Sequence, residues 1–325
     1  MELDTSFLAA LSEAPSVATA CGPVVNLVRG WLGERARTDL CPDSHLLVTA
    51  PGKRVSDLRC LLVSHMDEIG GCVLGQRDDA SYDTRWWGCH PERYAAADLQ
   101  AMDYLAEHAG EAFAVAADLV GDEDPPVPIL RGDGIRPYRT VWTFREAARA
   151  DGDWVEGKAL DPRATVFAVF SAFLQLNDPA VGVLLVMAEE CAVDMARKAV
   201  TMLHREARSL RLIVNADVPA AQNLCDADPA KPAIRVFEGR GMVDPWFGIR
   251  VADRLTRAGL AFHLTAARTG SQTPLFSPLA PTISVALPGE GVHTARARMS
   301  LTGVRRCIEL LCALAELSGE DIAAA

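Results

Sequence analysis

Three features that mark common functional classes are missing from this sequence. It has no tract of clustered lysines and arginines, no Cys-x-x-Cys pair, and no apolar run of the roughly 18 residues that a membrane span requires. Its formal net charge is -11, whereas proteins that bind nucleic acid present a basic face. The sequence therefore predicts neither a nucleic-acid-binding protein nor a membrane protein.

The cysteines and the N-terminal segment bear on the cellular compartment. The nine cysteines are scattered and odd in number, which argues against a zinc finger or a disulfide framework. Most of them are expected to be small buried side chains. The N-terminal segment begins with acidic residues and is unlike a secretory signal, so we expect a cytoplasmic protein. A serine hydrolase is not indicated either, because Gly-x-Ser-x-Gly does not occur.

Apolar runs alternate with helical segments over most of the 325 residues. The helical segments are residues 5–35, 164–176, 191–207, 244–259 and 301–319. Short, nearly continuous apolar runs that predict buried strands occur at 58–65, 181–190, 210–217 and 280–288. This alternation predicts an α/β fold with a mostly parallel central sheet flanked by helices.

The pattern changes between residues 72 and 151. Residues 95–119 are predicted to be helical in part, and residues 129–144 suggest a hairpin that turns at Gly132-Asp133-Gly134. We therefore expect a smaller inserted domain at 72–151, with a role in oligomerisation or substrate access. The catalytic domain would then consist of residues 1–71 and 152–325.

Potential metal ligands stand at the ends of the predicted strands. The apolar run from Val181 to Ala188 leads directly into two adjacent carboxylates, Glu189 and Glu190. The other candidates near strand or helix ends are His65, Asp67, Asp161, Asp217 and His293. Because ligands bind at the carboxyl ends of parallel strands, we expect these side chains to converge. Carboxylates and imidazoles together suit zinc, cobalt or manganese.

The same residues can be interpreted as one dinuclear site. Two metal ions about 3.5–4 Å apart need a bridging carboxylate, and Asp161 is the candidate. Such a pair lowers the pKa of a bound water towards about 7 and polarises a carbonyl oxygen. Each residue alone has a simpler explanation, such as helix capping by Asp161 or a solvated strand end at Asp217. Their occurrence together favours the metal site.

Five short motifs resemble those of the dinuclear-metal aminopeptidases of the TET type. These are the glutamyl or deblocking aminopeptidases, metallopeptidase family forty-two. The motifs follow the family's order between residues 65 and 294, and HMDEIG is the most specific of them. They are HMDEIG (65–70), GKALDPR (157–163), AEE (188–190), NAD (215–217) and PGEGVHT (288–294).

This resemblance implies two divalent metal ions, which would be zinc, cobalt or manganese. His65, Asp161 and Asp217 would bind one ion. Asp161, Glu190 and His293 would bind the other.

The resemblance also implies the catalytic residues. Glu189 would be the general base that takes the proton of the attacking water and passes it to the leaving amine. Asp67 would orient His65. The family's bridging aspartate precedes a bond that is typically cis. Here Pro162 follows Asp161, and proline makes a cis bond far less costly, so we predict a cis Asp161–Pro162 bond.

Some positions depart from the family pattern. Gln272, in GSQT, stands where the family has an aspartate, and Glu290 stands where the family has Arg-Tyr. We expect both residues to shape the substrate pocket and to change its preference, towards an unusual amino acid or a biosynthetic amide. The inserted segment shows weaker strand signals than the family's β-rich domain, which builds dimers and a twelve-subunit tetrahedron. We expect a dimer-based homo-oligomer and leave the dodecamer open.

The sequence thus predicts a metal-dependent hydrolase that removes the N-terminal amino acid from a peptide or small amide. One alternative is an amide hydrolase or deacylase on a specialised non-peptide substrate, which would not require a free α-amine. The other is a catalytically dead metal-binding or assembly protein. The Glu189–Glu190 pair and the five ligands argue against that last alternative, and the changes at Gln272 and Glu290 keep it open.

Overall fold

An eight-stranded sheet runs through the centre of the computed structural model, which describes residues 2–41, 45–77, 80–104, 112–121, 125–239 and 244–318. The four central strands are parallel neighbours, in the order β12 (Val181–Val186), β3 (Cys60–His65), β13 (Leu212–Asp217) and β16 (Thr282–Ala286). Antiparallel pairing adds β2 (Leu46–Thr49) and β1 (Arg37–Leu40) on one side and β14 (Ala233–Phe237) on the other. The edge strand β15 (His263–Ala266) pairs in parallel with β14. The predicted α/β fold with a mostly parallel central sheet is confirmed.

Apolar residues cover both faces of this sheet. Cys60 and Leu62 of β3 pack into one hydrophobic cluster, and the alternate residues Leu61 and Val63 pack into another. The first cluster includes α1 (Thr5–Glu13), α2 (Gly22–Leu32), α4 (Leu160–Leu176), α7 (Pro245–Arg257) and α9 (Leu301–Leu317). The second includes α6 (Ala196–Glu206) and α8 (Thr273–Phe276). Burial on both faces explains why the strands are continuously apolar rather than alternating. None of the described helices has the length and apolar character that crossing a membrane requires.

The single helix predicted for residues 5–35 is wrong, because α1 and α2 are separate helices. Pro15 follows α1; it has no backbone N–H and disfavours helical geometry in the residue before it. The intervening segment instead supports the strand ends. The carbonyl of Ser16 accepts a hydrogen bond from the Glu68 amide, and that of Ala18 accepts one from the Ala188 amide.

A closed six-stranded barrel occupies most of the segment predicted as an insertion. Its strands, in spatial order, are β4 (Gly70–Gln76), β5 (Tyr82–Trp87), β8 (Val127–Arg131), β7 (Phe113–Val120), β6 (Leu99–Asp103) and β9 (Thr140–Phe144). One short helix, α3 (Pro91–Ala95), connects β5 to β6. The division into two domains at 72 and 151 remains a prediction.

Two predictions within this segment are wrong. The helix expected over 95–119 is mostly strand in its described part, and residues 105–111 of that prediction lie outside the described residues. In β7, burial alternates residue by residue, so pairing in the barrel overrides the helix propensity of its alanines. The expected 129–144 hairpin also fails, because β8 pairs with β5 and β7 whereas β9 pairs with β4 and β6.

A third sheet of three strands connects the segment after the barrel to the C-terminal part of the chain. Its strands are β10 (Arg149–Asp151), β11 (Trp154–Gly157) and β17 (Ala297–Ser300), all antiparallel. The end of β11 leads directly to Asp161 at the start of α4. The short helix α5 (Glu189–Ala192) begins with the two glutamates that follow β12.

A buried ion pair connects the barrel to the central sheet. Lys158 Nζ lies 2.6 Å from Glu68 Oε1, and the two side chains are 0% and 1% exposed. Glu68 also accepts hydrogen bonds from the Ser16 amide and from Thr143 Oγ1 on β9. Glu68 therefore ties the segment after His65 to the barrel and to the segment before Asp161.

We expect Glu68→Gln to lower the free energy of unfolding by about 3–5 kcal/mol, because it leaves the Lys158 ammonium and the Arg163 guanidinium, 2.6 Å and 3.6 Å from Glu68 Oε1, buried without that carboxylate. Urea denaturation followed by circular dichroism measures this loss. The control is K158M/E68Q, which removes the Lys158 charge together with that of Glu68 and should lose less stability than E68Q alone. Equal losses in the two variants would contradict the pairing argument.

Candidate metal centre

The strands of the sheet bring the predicted ligands to one edge. His65 is the last residue of β3 and Asp217 is the last residue of β13, and these two strands are parallel neighbours. Glu190 follows β12, and His293 lies beyond β16, the other parallel strands. Asp161 opens α4 with φ −86° and ψ 110°, outside helical geometry, and its bond to Pro162 is cis, as predicted.

Asp161 lies between the two histidines, with one carboxylate oxygen towards each. His65 Nε2 is 3.1 Å from Asp161 Oδ1 and 3.4 Å from Asp217 Oδ1. His293 Nε2 is 3.3 Å from Asp161 Oδ2 and 3.2 Å from Glu190 Oε2. The structure thus brings all five predicted ligands together as two groups of three that share Asp161.

The residues present fit a divalent cation. Single ligand atoms of His65, Asp161 and Glu190 all lie within 4.8 Å of one another. Glu190 Oε1 is buried, and no donor in the described part of the chain hydrogen-bonds to it. A buried carboxylate oxygen without a partner is costly, and cation binding would satisfy it. Imidazole and carboxylate donors are the set that zinc, cobalt and manganese accept.

Electrostatic interactions in the site point the same way. The charge of Glu190 raises the pKa of His293 to about 12. Burial lowers the pKa of His65, but the hydrogen bonds that His65 donates to the carboxylates of Asp161, Asp217 and Asp67 outweigh burial and raise that pKa well above its usual value. Burial raises the pKa of Glu189 to about 8. The carboxylates therefore favour positive charge at both histidine positions.

Asp67 supports the glutamates more directly than it supports His65. Its Oδ1 lies 3.5 Å from His65 Nδ1, the atom it was predicted to orient. Shorter contacts run to the backbone, where the amides of Glu189 and Glu190 donate to Asp67 Oδ1 and Oδ2 at 2.9 Å and 3.1 Å. The buried Asp67 carboxylate therefore fixes the turn that presents both glutamates. This role was missed in the sequence because it depends on contacts between two strand ends.

A cavity of 640 Å³ opens onto the centre. Its lining includes Asp161, Glu189, Glu190, Asp217 and His293 from the sheet edge, and Gly88, Cys89, His90 and Arg93 from the barrel side. Arg93 Nη1 donates to the carbonyl oxygen of His293 at 3.0 Å. The volume is that of a pocket for a small molecule or a short peptide.

The two predicted pocket residues lie outside this lining. Gln272 is only 2% exposed and sits at the N-terminus of α8. The side chain of Glu290 is 42% exposed and lies 3.6 Å from Arg298. Thr269, Gly270 and Val292 line the cavity in the neighbouring segments instead. The expectation that Gln272 and Glu290 form the pocket wall is therefore not met.

Sequence reasoning also missed a buried charged pair beside Asp217. Arg235 is fully buried on β14, and its Nη2 donates to Asp217 Oδ2 at 2.7 Å. Burial raises the pKa of Asp217, but Arg235 and His65 together outweigh burial and keep that pKa below its usual range. Glu238 lies on the other side of the guanidinium, 3.4 Å from Arg235 Nη1. An arginine inside the apolar run AIRVFEG was the available signal.

No protein-family model matches the chain, and no curated protein sequence matches it either. Solved structures do match it. One match is the TET1 peptidase of Pyrococcus horikoshii, which can assemble into a tetrahedron or a large octahedral shell. It is 17% identical in sequence, and the alignment covers 96% of this chain and 98% of that chain with a TM-score of 0.78. An aminopeptidase from the archaeon Desulfurococcus kamchatkensis is 15% identical with a TM-score of 0.79, over 96% of this chain and 94% of that chain.

The chain therefore has the fold of the TET-type aminopeptidases. The resemblance that five short motifs indicated is confirmed at the level of the fold. A Thermotoga maritima protein described as an endoglucanase also matches, at 15% identity with a TM-score of 0.69, over 96% of this chain and 99% of that chain. Likenesses this remote define the fold and not the activity, which has to be argued from the site.

We expect Asp67→Asn to weaken binding of divalent metal about 10- to 100-fold, as substitutions next to metal ligands typically do. The asparagine would turn an amide donor towards a backbone N–H and disturb the turn that carries Glu190. Isothermal titration with Zn²⁺ measures the affinity. Asp118→Asn, a change at an exposed barrel residue, is the control and should bind Zn²⁺ normally. An unchanged affinity in D67N would contradict the anchoring role.

Proposed function

We propose that this chain is a dinuclear metal-dependent hydrolase that removes the N-terminal amino acid from a peptide or small amide. The observation that carries the proposal is Asp161, whose two oxygens face two different histidines. His65 and Asp217 complete one ligand group, and Glu190 and His293 complete the other. Similar distances on the two sides, 3.1 Å and 3.3 Å, suit one carboxylate shared between two cations.

Two bound divalent ions supply Lewis-acid polarisation of the scissile carbonyl and make a water molecule more acidic. Glu189 lines the cavity beside the ligands and is not needed as one. It takes the proton of the attacking water as the water oxygen bonds to the carbonyl carbon. It then passes that proton to the nitrogen as the C–N bond breaks, which yields a carboxylic acid and a free amine.

The cavity also supports a proposal about substrate charge. Its carboxylate wall suits the positive α-amine of an N-terminal residue. Arg93 is the single arginine or lysine among the described lining residues, and its described hydrogen bond runs to the carbonyl oxygen of His293. A guanidinium in this position suits a substrate carboxylate. We therefore propose short substrates that carry a carboxylate close to the scissile bond.

An amide hydrolase acting on a non-peptide substrate is the second candidate. It would use the same ligands and the same base, and it differs only in not requiring the α-amine. The catalytically dead alternative is less well supported, because Glu189 and all five ligands are present and adjacent.

We also propose that the chain works as a homo-oligomer in the cytoplasm. The matched TET1 peptidase is an assembly, which supports self-association here. The large apolar side chains of Tyr138 and Trp246 are 81% and 73% exposed, and either would suit an interface.

Glu189→Gln is expected to lower kcat/KM at least 100-fold while leaving two metal ions bound, since it removes the base and no ligand. The measurement uses paired substrates, a leucyl peptide with a free amine and the same peptide acetylated. The proposal predicts cleavage of the free-amine member only, with loss of activity in E189Q and on chelation.

Metal content of wild type and E189Q, measured by mass spectrometry, is the control for intact sites. Cleavage of both members by the wild type would favour the amide hydrolase. Cleavage of neither, with two ions bound, would contradict the aminopeptidase proposal for these substrates.

Arg93→Gln is expected to reduce the preference for a carboxylate-bearing substrate roughly tenfold in kcat/KM, because a charge-assisted contact is lost. Leu-Gly against Leu-Gly-amide tests the C-terminal carboxylate, and Glu-Gly-amide against Gln-Gly-amide tests the side chain. Arg296→Gln is the matched control, because Arg296 pairs with Glu146 and lies outside the described lining of this cavity. If the kcat/KM ratio within each substrate pair is the same in R93Q as in the wild type, the proposed contact between Arg93 and a substrate carboxylate is refuted.

A further inference from the structure

The strand register places Arg235 and Asp217 on the same face of the sheet. Arg235 on β14 is opposite Ser284 on β16, and Asp217 on β13 is opposite Ala286. Residues 284 and 286 are two apart on one strand, so their side chains point to the same face. Arg235 can therefore reach past β16 to Asp217, and its 2.7 Å contact with Asp217 Oδ2 is the result.

Glu238 compensates the charge of Arg235 from the other side. Both side chains are fully buried, with Arg235 Nη1 3.4 Å from Glu238 Oε2. Ser271 Oγ donates to Glu238 Oε2 at 2.9 Å, and Ser284 Oγ donates to the same oxygen at 3.3 Å. Because buried charges are costly unless they are paired and hydrogen-bonded, this degree of satisfaction indicates a fixed geometry.

The hydrogen bonds return to the strand that carries Asp217. Ser271 Oγ lies 2.7 Å from Thr273 Oγ1, and Asn215 Nδ2 donates to Thr273 Oγ1 at 2.9 Å. Asn215 is on β13, two residues before Asp217. A closed circuit of buried polar groups therefore links the end of β13 to β14 and to the turn before α8.

We propose that Arg235 and Glu238 are positioning residues that make Asp217 a one-oxygen ligand. Arg235 occupies Oδ2 of Asp217, which leaves Oδ1, held by the Val218 amide at 2.9 Å, facing His65 Nε2 at 3.4 Å. Glu238 balances the guanidinium charge, so Asp217 keeps its attraction for a cation. The inference rests on the proposed two-metal function.

The proposed positioning by Arg235 acts on only one of the two ligand groups, the one that contains Asp217. The described hydrogen bonds and ion pairs of Arg235 run to Asp217 and Glu238 and to no atom of Glu190 or His293. The ion held by Asp161, Glu190 and His293 therefore does not depend on Arg235 for the orientation of its own ligands.

The test is Co²⁺ titration of the full-length metal-free chain by calorimetry, with metal counted by mass spectrometry. R235M/E238Q removes both charges together and leaves neither charge buried alone. Wild type is expected to bind two ions. The double variant should bind one ion with wild-type affinity and the other 10- to 100-fold more weakly. Arg235→Lys keeps a cationic donor and should recover part of the lost affinity.

R59M/D178N is the matched control, because it removes an ion pair at the opposite ends of strands β3 and β12 and should change neither affinity. The melting temperature of each metal-free variant reports folding separately from metal binding. The positioning role would be overturned if R235M/E238Q bound both Co²⁺ ions with wild-type affinity. It would also be overturned if both sites lost affinity equally. A wild-type chain that binds fewer than two ions would instead refute the two-metal proposal itself.

Discussion

The position of one carboxylate, that of Asp161, is the constraint on which the rest of the site depends. Its oxygens face His65 and His293, so a shift of this side chain would disturb both ligand groups at once. Arg163, two residues further on, is fully buried and donates to the carbonyls of Leu11 and Met66. The start of α4 is thereby tied to the segment between His65 and Asp67. Asp161 and His65 are therefore held as one unit.

Buried charge recurs around the centre, and in each case the structure satisfies it. Lys158 pairs with Glu68 between the barrel and the sheet, and Arg235 pairs with Asp217 and Glu238 below the ligands. Such pairs add little net stability, because desolvation offsets their attraction, but they tolerate few alternative geometries. These buried pairs hold the side chains around the site in fixed orientations. Glu190 Oε1 is a buried carboxylate oxygen with no donor in the described chain, and it therefore marks where a cation fits.

The fold and the activity are separate conclusions. Solved structures with this fold include an aminopeptidase and a protein described as an endoglucanase, so the architecture does not select the substrate. What supports the proposed amide hydrolysis is local: Glu189, the proposed base, lies beside two groups of candidate ligands that share one carboxylate. What points to a particular substrate is the cavity, where Arg93 of the barrel faces a wall of acidic residues. The barrel thus contributes to the pocket as well as to the architecture.

The sequence by itself predicted the central sheet and five candidate ligands that the structure brings together, and the family resemblance with Pro162 added the cis Asp161–Pro162 bond. A buried parallel strand is continuously apolar, and its carboxyl end is where polar ligands stand. Only the tertiary structure decided the barrel, since β6 and β7 lie in a segment predicted to be partly helical and become strands through pairing within the barrel. The same holds for the Asp67 anchor, for Arg235 with Glu238, and for the exclusion of Gln272 and Glu290 from the cavity lining. Contacts between side chains and backbone far apart in the chain leave no periodic trace in the sequence.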